Sequence, residues 1–134
     1  MKYALDTNIV ILLLRGNQNI CHRFDLAVKR GDEFIIPSLV HYEIKRGFLC
    51  KSAPKREKIY NHLIKQYPVG ETSIKSLELG AIIYSNLYHA KLTVDDMDLL
   101  IAAFCMTNGY ILITNNIRHF KVIDGLKFED WTVV

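Results

Sequence analysis

The chain has 134 residues, half of them hydrophobic and 23% charged, with a formal net charge of +3. That length and apolar content suit one globular domain whose core is covered on two sides, and they exclude a disordered chain. The longest apolar runs, residues 9–14 and 99–106, fall well short of the roughly 20 residues a membrane span requires, and no cationic leader precedes a signal-like stretch, so a cytoplasmic protein is expected.

In chain order, Tyr3, Ala4 and Leu5 read as a short buried strand, with Asp6 at its carboxyl end. A helix from about Ile9 is predicted to stop near Arg15-Gly16-Asn17, where glycine can take the left-handed conformation that ends helices. A second helical stretch, about residues 19–30, leads through Gly31-Asp32 to a strand over residues 33–36. Pro37 breaks that strand, and Ser38 is the expected N-cap of a helix carrying Leu39, Glu43 and Arg46 on one face. Two further helices, about residues 54–66 and 73–90, carry Ile59, Leu63 and Ile64, then Leu77, Ala81, Tyr84 and Tyr88 at helical spacing. They read as a helical cover or arm, with the tyrosines as packing residues. Thr93-Val94-Asp95-Asp96 has the pattern of a capping box ahead of an apolar helix over residues 99–106, which Asn108-Gly109 ends. A buried strand over residues 110–113 then runs into Thr114-Asn115-Asn116. The alternation of strands and helices, with no repeat or linker, predicts a single α/β domain over residues 1–134.

The informative residues are acids at the breaks of this pattern: Asp6, Glu43, Asp95, Asp96 and Asp98. Asp95 and Asp96 are explained by the positive end of the following helix. Asp98 is not, because Ile101, Ala102 and Cys105 share its helix face and a carboxylate there needs a partner. In open parallel sheets ligands bind beyond the carboxyl ends of the strands, so Asp6 and residues 114–116 face one rim if their strands are neighbours. Several carboxylates gathered there would repel one another unless a hard cation such as Mg²⁺ or Mn²⁺ bound among them, and such a site suits phosphoryl chemistry. The five histidines lack metal-ligand spacing and are read as structural. Cys21, Cys50 and Cys105 form no CxxC pair, so neither a disulfide framework nor a zinc ribbon is indicated. Lys45, Arg46, Lys51, Lys55, Arg56 and Lys58, interrupted only by Glu57, form a basic cluster able to attract a polyanion.

Four stretches taken together, Leu5 to Ile9, Ser38 through Glu43 to Gly47, Asp98 to Ala103, and Ile113 to Asn116 followed by Phe120, resemble the ordered motifs of PIN-domain ribonucleases. The nearest likeness is to the VapC-type toxins of bacterial toxin–antitoxin pairs, and it extends over nearly the whole chain, including the ending from Gly125 to Trp131. The resemblance implies a three-layer sandwich, a small parallel sheet flanked by helices, with residues 54–90 as an arm over the active-site groove. It implies an endoribonuclease acting on RNA such as transfer RNA or a ribosomal loop, with Asp6, Glu43 and Asp98 as the acidic core that holds Mg²⁺ or Mn²⁺. Two roles stand open for Glu43: ligand of a second ion, or the group that positions and deprotonates the attacking water. Thr7 and Asn8 would orient Asp6 through hydrogen bonds, and Thr114 would do likewise at the rim. Asn115 and Asn116 stand where many members place a fourth acid, so Asn116 would meet water or a substrate phosphate instead. The implied partners are a cognate VapB-type antitoxin and a second copy of the chain, and Lys45, Arg46 and Arg15 are the expected contacts to the RNA backbone. The alternative is a non-catalytic PIN-like module that binds RNA or protein, and the two amides are its support.

Overall fold

The structure is a computed structural model and describes residues 1–133. Its elements run β1 (Lys2–Leu5), α1 (Thr7–Leu14), α2 (Gln18–Arg30), β2 (Glu33–Pro37), α3 (Ser38–Cys50), α4 (Pro54–Gln66), β3 (Val69–Gly70), α5 (Ile74–His89), α6 (Asp96–Asn108), β4 (Ile111–Ile113), α7 (Ile117–Phe120) and β5 (Phe128–Glu129). The five strands form one parallel sheet in the order β3-β2-β1-β4-β5. This is the α/β sandwich the alternation predicts.

Strand β1 lies at the centre, Ala4 aligned with Ile35 on one side and Leu112 on the other. Tyr3, Ala4 and Leu5 are all buried, as expected of a parallel strand covered on both faces. The chain steps outward from β1 to β2 to β3, then returns to place β4 on the opposite side of β1. The topological switch point therefore falls between β1 and β4, and the crevice beyond their carboxyl ends is where open α/β sheets bind ligands. The Asp6 amide donates to the Ile113 carbonyl at 3.0 Å and the Thr114 amide to the Glu129 carbonyl at 3.0 Å. Both residues are thus held in register with the sheet.

Two close approaches tie helices to this frame. A Cβ on Gly70 would meet Ile35 Cδ1 at 2.5 Å and Phe104 Cζ at 2.7 Å, and one on Gly80 would meet Leu100 Cδ2 at 2.9 Å. Small residues at these two points let β3 sit against α6 and let α5 lie along α6. An aromatic cluster of Tyr3, Phe24, Phe34, Tyr67 and Trp131 anchors the carboxyl-terminal tail, with Trp131 almost wholly buried.

Several boundaries differ from expectation. Helix α1 begins at Thr7, two residues early, because the Asp6 side chain caps it by accepting from the Thr7 amide. Ser38 is inside α3 and caps nothing; its hydroxyl pairs instead with Thr72 at 2.6 Å. The capping box at residues 93–96 does not form, since α6 begins at Asp96 and no side chain caps it. The apolar stripe of α5 at Leu77, Ala81, Tyr84 and Tyr88 is exposed, while Ser76, Gly80, Ile83 and Leu87 are buried. Among the described residues no helix is long and apolar enough to cross a membrane.

Candidate active site

Asp6 sits at the switch point and is 3% exposed. Its Oδ1 accepts from the Thr7 amide at 2.9 Å and its Oδ2 from the Thr114 hydroxyl at 2.7 Å. Burial pushes its carboxyl up to about 6; the bonds from Thr114 and Thr7 oppose the shift, and the nearby carboxylates of Asp98 and Glu43 add to it. The three acids named from the sequence are therefore close enough to feel one another.

Each outer acid is held by its own partners. Glu43 Oε1 accepts from the Thr7 hydroxyl at 2.7 Å, and Glu43 Oε2 lies 3.7 Å from Arg46. Asp98 Oδ2 meets His119 Nδ1 at 2.8 Å, and with Asp98 ionised the imidazole must be the donor. Thr7 thus serves two acids at once, its amide on Asp6 and its hydroxyl on Glu43. Thr114 is fully buried, donating to Asp6 and accepting from the Asn116 amide at 3.0 Å. The Asn116 carbonyl in turn receives the amides of His119 and Phe120 at 3.0 and 3.3 Å, which winds the short α7 that presents His119 to Asp98.

The other residues named from the sequence make different contacts. Asn8 is exposed and makes no hydrogen bond to Asp6, because successive helical side chains diverge by about 100° and Thr7 already occupies that side. Lys45 pairs with Glu57 at 3.4 Å, and Arg46 is engaged by Glu43 and by the Tyr42 ring at 5.1 Å. Both cations are therefore partly neutralised within the chain, while Arg15 is exposed and in no ion pair among the described residues. Asp95 and Asp96 are exposed at the start of α6. His119 is the functional candidate that sequence spacing missed. His41 is structural as expected, bonding the hydroxyl of buried Tyr60 at 2.7 Å.

Among the described residues no three His, Cys, Asp or Glu side chains close into a ready ligand cage. A hard cation does not need one: Mg²⁺ commonly keeps several waters and binds through one or two carboxylates. The donor set fits such an ion, since it is all oxygen and since a cation would offset both the burial that mainly raises Asp6 and the smaller repulsion from Asp98 and Glu43.

The PIN domain family model matches residues 3–126. The chain belongs to the PIN-domain family. Within it the similarity is to VapC ribonucleases. Ribonuclease VapC1 of Rickettsia felis is 45% identical over 135 residues, covering 95% of this chain and 94% of that protein. The tRNA(fMet)-specific endonuclease VapC of Salmonella typhimurium is 28% identical over 137 residues and covers 98% of each chain. Among solved structures, VapBC2 from Rickettsia felis bound to a DNA fragment from its promoter superposes with a TM-score of 0.89 at 26% identity, over 98% of this chain and 99% of that one. The chain is thus a VapC-type PIN nuclease whose sheet rim carries the acids of its motifs.

Proposed function

We propose that this PIN-domain chain is the toxin of a toxin–antitoxin pair and works in the cytoplasm as a Mg²⁺- or Mn²⁺-dependent endoribonuclease. The observation that carries this reading is Asp6, buried at the switch point with its carboxyl raised and two further acids beside it. When bound, the cation neutralises phosphate charge and makes a water molecule more acidic at neutral pH. Asp6 and Asp98 would hold it. Thr7 and Thr114 fix both oxygens of Asp6, and His119 fixes the rotamer of Asp98. Glu43, anchored by the Thr7 hydroxyl, would orient the attacking water and take its proton, or share the cation. Transfer RNA is the target class that the specificity of the Salmonella relative favours. A VapB-type antitoxin is the proposed partner, by analogy with the Rickettsia complex.

A homodimer is also proposed. Helix α5 leaves Ile74, Leu77, Tyr84 and Tyr88 exposed at 74%, 46%, 51% and 69%, along one stripe at helical spacing that a second copy would cover. The test of the activity is incubation of total bacterial RNA with the purified chain in Mg²⁺, beside an EDTA control. Discrete fragments only with the cation support the reading. Intact RNA in both lanes, with RNA still bound, would leave a binding module.

A further inference from the structure

Glu43 borders more than the acid site. It also lines a cleft of about 240 Å³ enclosed by the end of α1, the outer half of α3 and the start of α4. The floor is apolar: Leu14 and Ile44 are buried, and Ile11 and Phe48 are half-buried. Phe48 is steadied by the buried ring of Tyr60, 6.1 Å away. The rim carries Arg15, Lys51 and Arg56. All three are exposed, and among the described residues none is in an ion pair, whereas their neighbours Lys45 and Arg46 are.

An apolar floor under three exposed cations matches one nucleotide, whose base has a π-face and whose flanking phosphates carry negative charge. We infer that this cleft is the subsite for a nucleotide adjoining the scissile phosphate, its base against Phe48 and Ile44 and its backbone held by Arg15, Lys51 and Arg56. The inference rests on the ribonuclease reading and extends it to how the RNA is seated. Glu43 supplies the link, because the same side chain edges the cleft and bonds Thr7 beside Asp6. A strand lying in the cleft therefore continues into the acid site. That continuity suits a substrate strand, and an acidic peptide, the other occupant the cations could hold, is distinguished by the test.

The experiment measures binding without cleavage: fluorescence anisotropy of a labelled single-stranded RNA of about ten nucleotides in EDTA, over a range of KCl concentrations. The same length of abasic ribose-phosphate and a poly-glutamate peptide serve as comparison probes. Two variants are used. The triple change Arg15→Ala, Lys51→Ala, Arg56→Ala removes the rim cations. Gly47→Leu fills the cleft; Gly47 lines it, and a Cβ there meets nothing within 4 Å, while leucine suits a helix better than glycine.

The triple variant should flatten the dependence of log affinity on log salt by about two, roughly 0.7 for each lost phosphate contact. Gly47→Leu should weaken RNA binding about tenfold, the scale of one lost stacked base, and leave the abasic probe unchanged. Unchanged RNA affinity and salt slope in both variants, with unaltered circular dichroism, overturns the inference. Loss of poly-glutamate binding alone also overturns it, and makes the cleft a peptide site. Cleavage in Mg²⁺ is scored separately: binding that behaves as stated in a protein that cuts nothing refutes the nuclease and leaves the cleft, and cutting with cleft-independent binding does the reverse.

Discussion

At the scale of the residue, the proposed chemistry turns on a carboxylate that is almost wholly buried. Asp6 titrates near 3.8 when unperturbed and is pushed up to about 6 by burial, with smaller contributions from Asp98 and Glu43. The folded protein therefore holds a proton that the unfolded chain has already released, and stability falls as pH rises from about 4 to about 6. Above that window the ionised site costs on the order of 3 kcal/mol in the absence of a cation. Asp6→Asn should stabilise the metal-free protein by about 1–3 kcal/mol at pH 7.5, and the gain should vanish near pH 4, as read by urea denaturation. A variant no more stable than the parent at pH 7.5 would mean the carboxylate is not strained. His119 is the second residue at this scale. Loss of its hydrogen bond in His119→Ala should lower Mg²⁺-dependent cleavage about tenfold or more, mainly by raising the Mg²⁺ concentration required. His119→Asn, which keeps an N–H donor near the position of Nδ1, should recover most of it. Equal cleavage by all three proteins over a Mg²⁺ titration would remove His119 from the site.

At the scale of the element, the long helices and the three inner strands were legible because each carries a strong period or an unbroken apolar run. Asp6, Glu43 and Asp98 were legible because they interrupt those runs. The strands β3 and β5 were not, since two residues hold no period and each exists only through pairing with a neighbour. The pairing of His119 with Asp98 was equally hidden, being made by the return of α7 onto α6 rather than by spacing along one helix. Helix α5 shows why an apolar stripe does not by itself name the face that packs. Its buried face is built on Ser76 and Gly80, whose small size lets α6 approach, and this leaves the larger Leu77, Tyr84 and Tyr88 outside. If that stripe joins two copies, Leu77→Asp with Tyr84→Asp should convert a dimer to a monomer in sedimentation velocity while leaving the helical circular dichroism intact. A monomeric parent, or a variant that stays dimeric, would refute this interface.

At the scale of the whole molecule, sheet order decides where the sequence motifs meet. Placing β4 beside β1 brings Thr114 onto Asp6 across the switch point, and the helices that follow β2 and precede β4 bring Glu43 and Asp98 to the same crevice. Nothing in composition or charge demanded that convergence; it follows from the winding of the chain, which the family resemblance supplied and the strand order bears out. The basic cluster was read from the sequence as one patch, yet folding separates Lys45 and Arg46, which pair with Glu57 and Glu43, from Lys51 and Arg56, which rim an apolar cleft. The most direct test of the acidic centre is the rate of RNA cleavage in Mg²⁺ by Asp98→Asn beside the parent, with equal folding verified by thermal melting. A fall of about a thousandfold or more is predicted, in keeping with loss of a group that stabilises transition-state charge. A rate within about threefold of the parent, less than 1 kcal/mol in barrier height, would contradict the assignment.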